Sequence, residues 1–193
     1  RRSSRENNPF KTLISCLLSL RTQDKNTDKT SKALFAVADT PEKILKIPQE
    51  KLEKLIFSSG YYKNKAKTIK HVSKVILEEY GGKVPNDLDE LMSIKGIGRK
   101  TATITRVFGF GEADCIPVDV HVFIIANRLG WVKEKTPEKT EEELMKIVPK
   151  EYWFEINTLF VLYGKEICQT QSPFCSKCVI SKYCKRVGVV RSR

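Results

Sequence analysis

Long apolar runs are missing from this sequence. No segment approaches the roughly 20 consecutive apolar residues that a bilayer-spanning helix needs. The amino terminus also lacks the apolar stretch of a secretory signal, and there is no internal repeat, low-complexity linker or long block of one charge. These absences exclude a helical membrane protein and predict an intracellular protein that does not bind membrane.

Acidic residues are in a clear minority. The chain has 23 Asp and Glu residues against 35 Lys and Arg residues, for a formal net charge of +12. Such an excess is costly in a compact protein unless a polyanion offsets it, so nucleic acid is the leading predicted partner. The alternative is a lysine-rich surface of the kind found on thermally robust proteins, which would need no partner.

Strand and hairpin signals are also scarce. Apolar residues instead recur at intervals of three and four, as in residues 10–18 and 69–80. Thr40-Pro41 and Thr136-Pro137 each place a capping hydroxyl before a proline at the first helical position. We therefore predict an all-α protein of about ten helices.

The length of 193 residues and the apolar fraction of 40% suit one or two compact domains. The helical pattern is interrupted at Gly109-Phe110-Gly111-Glu112. We predict a helical domain over residues 9–112 and a second over 113–193, with residues 1–8 packing on the second. A cleft between the two domains would be a common location for an active site.

Six cysteines are present, and four of them lie within 17 residues near the carboxyl end. The four are Cys168, Cys175, Cys178 and Cys184. Their separations of six, two and five residues are typical of a metal site in a reducing compartment. Zinc and a [4Fe-4S] cluster both accept four thiolates, and spacing alone slightly favours zinc as the commoner metal. Four protein ligands leave no position open for water, which indicates a structural site.

The other two cysteines, Cys16 and Cys115, are isolated in apolar surroundings. We expect each to be a small buried hydrophobic residue and not a reactive thiol.

A Gly-x-Gly turn separates two helical patterns. One helix is predicted to end at Ile94, Gly96 and Gly98 allow a tight turn, and the next helix begins near Arg99 and Lys100. In this helix-hairpin-helix pattern, backbone N–H groups and the positive end of the second helix can bind a phosphate without reading base sequence. The alternative for a lone Gly-x-Gly is a purely structural turn.

Three parts of the chain together resemble the endonuclease III branch of the helix-hairpin-helix DNA glycosylases. They are residues 91–102, the sequence Ile-Pro-Val-Asp-Val-His at 116–121, and the four spaced cysteines. The resemblance extends from Pro9 to Cys184 and includes residues 60–66. It implies a bifunctional enzyme of the cytoplasm or nucleoid that removes oxidised pyrimidines from duplex DNA and nicks the abasic site. It also implies a [4Fe-4S] cluster in place of zinc.

The resemblance assigns the catalytic roles to Lys100 and Asp119. An amine that attacks C1′ of the sugar forms an iminium and makes the C2′ proton acidic enough for β-elimination. The amino end of a helix and the exclusion of water by DNA both disfavour the ammonium form. A carboxylate near C1′ would stabilise the developing positive charge and help deprotonate the amine. Without the resemblance, Lys100 reads as a phosphate-binding surface lysine and Asp119 as a helix cap.

A glycosylase extrudes its target nucleotide and props the gap open with side chains. The resemblance places inserting residues in the stretch that holds Arg21 and Gln23, at Tyr61 and at His121. Many relatives have glutamine where this chain has Arg21, and because arginine has no acceptor, we expect recognition of the opposite base to differ. The alternatives are a partly buried aromatic ring for Tyr61 and a structural role for His121.

The cysteine stretch also carries positive charge. Lys177 lies between Cys175 and Cys178, so a bound metal would hold a basic loop ready for DNA phosphates. The alternative is a solvated lysine surface.

Two other functions stay open at this point. One is a monofunctional glycosylase for mismatched or alkylated bases, in which Lys100 contacts only phosphate. The other is a non-catalytic DNA-binding module. We expect a monomer that acts on double-stranded DNA containing damaged bases or abasic sites.

Overall fold

The computed structural model of the protein describes residues 8–193, apart from the side chain of Asp24. Ten α-helices and no strand occur in this part of the chain, which confirms the all-α prediction. The packing predicted for residues 1–8 concerns a segment that, except for Asn8, lies outside the described residues. Within residues 8–193 no helix is long and apolar enough to cross a membrane.

The chain divides into two compact units, the first ending at Gly111 and the second beginning at Glu112. The cleft predicted between two domains stays a prediction. The first unit contains the helices α1 (Pro9–Ser19), α2 (Asp24–Val37), α3 (Pro41–Lys46), α4 (Gln49–Leu55), α5 (Tyr62–Glu79), α6 (Leu88–Ser93) and α7 (Arg99–Ile104). Helix α7 continues as a π-helix, Thr105–Phe110, so Gly109 lies inside a helix and the interruption predicted there begins only at Gly111.

The second unit contains three α-helices and three short 3₁₀ turns. The α-helices are α8 (Val120–Leu129), α9 (Pro137–Ile147) and α10 (Trp153–Glu166). The turns are Lys150–Tyr152, Cys175–Lys177 and Ser181–Tyr183.

Several helices begin where the sequence predicts. Oγ1 of Thr40 accepts the N–H of Lys43 at 3.3 Å, and Oγ1 of Thr136 accepts that of Lys139 at the same distance. Because each hydroxyl satisfies an N–H that has no partner within its helix, the Thr-Pro pairs fix the starts of α3 and α9.

The core of the first unit is built around α1. This helix packs against α2, α5, α7 and the π-helix, and it buries one apolar side chain after another along its length. Its most deeply buried residues are Leu13, Ile14, Leu17 and Leu18. Helix α5 contributes Ile69, Val72 and Ile76 from its apolar stripe. In the second unit, α8 packs against α9 and α10 around a smaller core that includes Ile116, Val122, Ala126, Leu144 and Ile156.

Both isolated cysteines are buried, as predicted, with 5% of each residue exposed. The Cys16 thiol donates to Oγ1 of Thr101 at 3.6 Å, and burial raises the pKa of Cys16. Cys16 therefore acts as a small hydrophobic residue that links α1 to α7.

The turn between α6 and α7 is anchored by two buried isoleucines. Ile94 and Ile97 are 3% and 5% exposed and pack into the core of the first unit. Gly96 lies between them with φ of 103°, and a Cβ atom at this position would stand 2.6 Å from Cγ2 of Thr68. Only glycine meets both requirements without strain. Gly98, by contrast, has φ of −94° and open space around it.

This difference predicts unequal effects of two alanine substitutions on stability. Gly96→Ala should lower the free energy of unfolding by about 1–3 kcal/mol, because it combines a left-handed backbone with a steric clash. Gly98→Ala is the matched control and should cost no more than about 1 kcal/mol, because alanine is the poorer N-cap residue but meets no steric clash at this position. Denaturant titration of both variants measures the two values. Equal losses in the two variants would contradict this account of the turn.

Candidate active site

Lys100 is the second residue of α7 and its side chain is exposed. The next two residues, Thr101 and Ala102, are 3% and 0% exposed, and α7 packs against α1. The N–H of Ala102 binds the carbonyl of Gly98 at 3.0 Å and closes the first turn of the helix. The buried face of α7 thus fixes the backbone of Lys100, while its amine stays accessible at the amino end of the helix, where the dipole favours an anion.

Asp119 is the N-cap of α8. Its Oδ1 accepts the N–H groups of His121 and Val122, both at 2.9 Å. Within the described part of the chain, both hydrogen bonds of this carboxylate go to Oδ1, which leaves Oδ2 for another partner. The cap interpretation of Asp119 is confirmed, and it is compatible with a catalytic role because one oxygen fixes the side chain while the other stays available.

His121 lies in the first turn of α8 and is half-buried, with its ring in contact with Gly164 of α10. The ring also lines an open depression of about 580 Å³, together with Lys165, Gln169 and Arg193. His121 therefore packs two helices of the second unit together and keeps one edge at the surface.

The predicted inserting residues Arg21 and Tyr61 come together. We call residues 20–23, between α1 and α2, the first surface loop, and residues 56–61, between α4 and α5, the second surface loop. The Arg21 guanidinium carbon lies 5.5 Å from the centroid of the Tyr61 ring, within reach of a cation–π interaction. Tyr61 is 63% exposed, so the alternative of a partly buried ring is wrong.

Gln23 ends the first surface loop and is exposed. It is the N-cap residue of α2, but its side chain makes no capping hydrogen bond. The Gln23 side chain thus lies at the surface in the same loop as Arg21, and its contact with DNA stays a prediction.

The four carboxyl-terminal cysteines line one cavity of the second unit. All four are free thiols and half-buried. Across residues 8–193, however, no three or more His, Cys, Asp or Glu side chains are arranged to hold a metal ion. Zinc would need its four sulfurs to converge at about 2.3 Å from one point. A [4Fe-4S] cluster spreads its four thiolates over four irons. Four thiols that line one cavity supply the donor set that either group requires.

Arg128 of α8 holds the start of this cysteine segment. The side chain is 8% exposed, and its guanidinium donates to the carbonyls of Cys168, Gln169 and Thr170 at 3.3, 2.7 and 2.6 Å. It also reaches the Cys168 sulfur at 3.4 Å. Sequence reasoning missed Arg128, although a lone arginine within the apolar run of α8 was a usable signal, because a buried cation needs partners.

Tyr163 of α10 is a second residue that sequence reasoning missed. Its hydroxyl donates to the Cys178 sulfur at 3.1 Å, and desolvation raises the pKa of Tyr163 to about 12. The phenol therefore remains a hydrogen-bond donor to this sulfur at neutral pH.

Basic residues of the cysteine segment stack on its aromatic rings. Lys177 Nζ lies 5.3 Å from the Phe174 centroid, and Lys182 Nζ lies 4.8 Å from that of Tyr183. Lys177 is nevertheless exposed and can contact an anion.

Comparison with known proteins agrees with these features. Residues 14–150 match the family described as HhH-GPD superfamily base excision DNA repair protein. The chain is 46% identical to endonuclease III of Thermotoga maritima over 197 aligned positions, which cover 100% of this chain and 92% of that protein. It is 39% identical to endonuclease III of Rickettsia conorii, over 92% of this chain and 84% of the relative.

Solved structures give the same result. A trapped covalent intermediate of an endonuclease III with DNA superimposes with a TM-score of 0.86 at 38% identity, over 93% of this chain and 84% of that one. The length of the matches and their level of identity show that the chain belongs to the HhH-GPD superfamily and, within it, to the endonuclease III family.

Proposed function

We propose that this protein is a base excision repair DNA glycosylase and abasic-site lyase that removes oxidised pyrimidines from duplex DNA through a Schiff base on Lys100. The observation that carries the proposal is the exposed Lys100 at the start of α7, directly after a glycine turn, in a chain 46% identical to an endonuclease III over its whole length. The oxidised-pyrimidine substrate class and the roles of individual residues follow from the resemblance of the motifs.

In this mechanism the Lys100 amine bonds to C1′ as the bond from C1′ to the damaged base breaks. The base leaves with a proton, and opening of the sugar ring gives an iminium. Loss of the C2′ proton then breaks the bond between C3′ and its phosphate oxygen, and water hydrolyses the imine to regenerate the lysine. The fixed backbone of α7 supports this role, because attack requires the amine to be held close to its target.

Asp119 stabilises the positive charge that develops at the sugar and accepts the proton of the attacking amine. Its Oδ1 is fixed by two backbone N–H groups, so the orientation of the carboxylate is set by its own helix. A preoriented carboxylate of this kind contributes more in a water-poor site than in bulk water.

Phosphate contacts come from groups that do not read base sequence. Gly96 and Gly98 are exposed near the amino end of α7, where we expect their backbone N–H groups to bind phosphate, and Arg99 adds a cation at its first position. Lys177 contributes a further exposed charge in the second unit. The formal charge of +12 supports binding to a polyanion, and such binding weakens as salt rises.

A [4Fe-4S] cluster held by the four carboxyl-terminal cysteines would organise the segment that carries Lys177. Its chemical contribution is structural, since all its ligands come from the protein. Arg128 and Tyr163 orient two of the sulfurs through hydrogen bonds.

Replacement of Lys100 tests the covalent step. Lys100→Gln should abolish borohydride trapping on abasic DNA and reduce strand cleavage by about 10³-fold or more, because the amide cannot form an imine. Lys95→Gln is the matched control, since Lys95 is an exposed lysine of the same hairpin and its loss removes the same charge. Undiminished trapping in Lys100→Gln would remove this lysine from the mechanism.

Replacement of Asp119 separates the effect of its negative charge from its role as the N-cap of α8. Asp119→Asn keeps an oxygen for the two N–H groups of α8, so stability should change by less than about 1 kcal/mol. Base removal should fall by about 10²- to 10³-fold, because the negative charge is lost. Asp87→Asn is the control, since Oδ1 of Asp87 caps α6 with two hydrogen bonds of 2.8 and 3.0 Å. Equal activity of both variants in a thymine glycol excision assay would rule out a catalytic carboxylate at residue 119.

Metal analysis tests the cysteine site. The purified protein should be coloured, with broad visible absorbance and about four iron atoms per chain. Cys178→Ser should lose the colour and most of the iron, whereas Cys115→Ser, which replaces a buried cysteine outside the segment, should keep both. A colourless protein that contains one zinc per chain would contradict the cluster.

A further inference from the structure

A buried lysine connects to the base of the first surface loop. Lys65 lies in the first turn of α5 and only 8% of it is exposed. Its ammonium donates to the carbonyl of Leu18 at 2.7 Å and to Oγ1 of Thr22 at 2.6 Å. Leu18 lies in α1, before the first surface loop, and Thr22 lies within the loop. The ammonium of Lys65 therefore links the end of α1 to the loop. Burial lowers the pKa of Lys65 to about 8, which reflects the cost of keeping a charge at this position.

The same hydroxyl connects the first surface loop to the second. Oγ1 of Thr22 also accepts the N–H of Gly60 at 3.1 Å. The two backbones approach so closely that a Cβ atom on Gly60 would stand 2.7 Å from the carbonyl oxygen of Arg21. The N–H of Lys65 binds the carbonyl of Tyr61 at 3.0 Å, so the lysine touches the second loop through its backbone as well. A continuous chain of hydrogen bonds thus joins Lys65, Thr22 and Gly60 and connects the two surface loops. We call these three residues the brace.

Two residues next to this brace, Arg21 and Tyr61, have unusual backbone angles. Arg21 has φ of 53° and Tyr61 has φ of 58°, although neither is glycine. A non-glycine residue in this region costs about 1–3 kcal/mol and persists only where the surrounding structure imposes it. Both side chains are exposed and they stack on one another, so the strain presents two adjacent groups at the surface.

We propose that Lys65 is a positioning residue that sets the spacing of the two surface loops and so holds Arg21 and Tyr61 as one unit that enters the base stack during nucleotide extrusion. This inference rests on the proposed function, since it concerns how that enzyme opens its duplex. Lys65 acts through Leu18, Thr22 and Gly60 and does not itself contact DNA.

A positioning role differs in its consequences from a purely structural one. If Lys65 only stabilised the first unit, its loss would impair every activity to a similar degree. If it positions the two surface loops, its loss impairs only the steps that require an opened duplex. Reaction of Lys100 with an abasic site in single-stranded DNA requires no duplex opening and would be spared.

The experiment compares two substrates across three variants. The substrates are a duplex with one thymine glycol and a single-stranded oligonucleotide with a preformed abasic site. The variants are Lys65→Met, which keeps length but loses the ammonium, Thr22→Val, which keeps shape but loses the shared hydroxyl, and Lys70→Met. Lys70 is the matched control, because it lies on the same helix and donates to a backbone carbonyl, that of Leu45, at 3.5 Å.

We expect Lys65→Met and Thr22→Val to lower the single-turnover rate on the duplex by about 10- to 100-fold, as small misplacements of positioning groups do. Borohydride trapping on the single strand should stay within about twofold of the unmodified protein. Lys70→Met should match the unmodified protein on both substrates.

A fluorescence assay measures how far the two surface loops open the base stack, without any chemical reaction. 2-Aminopurine is placed opposite a non-cleavable abasic analogue, where loss of stacking raises its emission. The unmodified protein at saturation should raise the emission, and Lys65→Met and Thr22→Val should raise it less, whereas Lys70→Met should not differ.

The outcomes separate this inference from the proposed function. Equal losses on both substrates for Lys65→Met, with Thr22→Val normal, would show that Lys65 is only structural, and unchanged duplex rates in both variants would also overturn the proposal. If Lys65→Met fails to fold, Thr22→Val decides, since it removes one half-buried hydroxyl. If the unmodified protein cleaves neither substrate, the proposed function is wrong, while the fluorescence assay still tests the brace.

Discussion

The packing of α1 is the constraint on which the first unit depends. This helix contacts α2, α5, α7 and the π-helix, and its inward side chains are almost completely buried. Its carboxyl end leads into the first surface loop, and its middle supports the face of α7 that carries Thr101. The backbone positions of Lys100 and Arg21, which have different chemical tasks, are therefore set by the same apolar surface. Close packing of this kind transmits small displacements.

The helices and the turn before Lys100 were predictable because their signals are local, whereas the nucleophilic role proposed for Lys100 came from the family resemblance. Helical periodicity, Thr-Pro starts and the Gly-x-Gly turn each depend on a few consecutive residues, and Asp119 stands at the start of a helix as its sequence context indicates. The cysteine spacing is similarly local. The π-helix was not predictable, since Gly109 looks like a helix terminator in sequence but lies inside a helix that ends two residues later.

Two of the residues that sequence reasoning missed act over long separations. Lys65 meets Leu18 and Thr22 across 47 and 43 positions, and Arg128 meets Cys168 across 40. Each is a charged residue on the inner face of a helix, where periodicity predicts an apolar side chain. That mismatch marks a residue whose buried charge needs partners, but it does not say which partners.

Arg128 has a consequence for how the cysteine segment is assembled. Its guanidinium already binds three successive carbonyls from Cys168 onward, using a helix that belongs to the core of the second unit. The guanidinium therefore fixes the path of the segment at Cys168, Gln169 and Thr170. The same helix also holds the far end of the segment, because the N–H of Lys185 binds the carbonyl of Leu129 at 3.4 Å and that of Val187 binds the carbonyl of Arg128 at 3.2 Å. Loss of the Arg128 side chain would therefore release the first end of the segment while the second end stays attached through backbone hydrogen bonds.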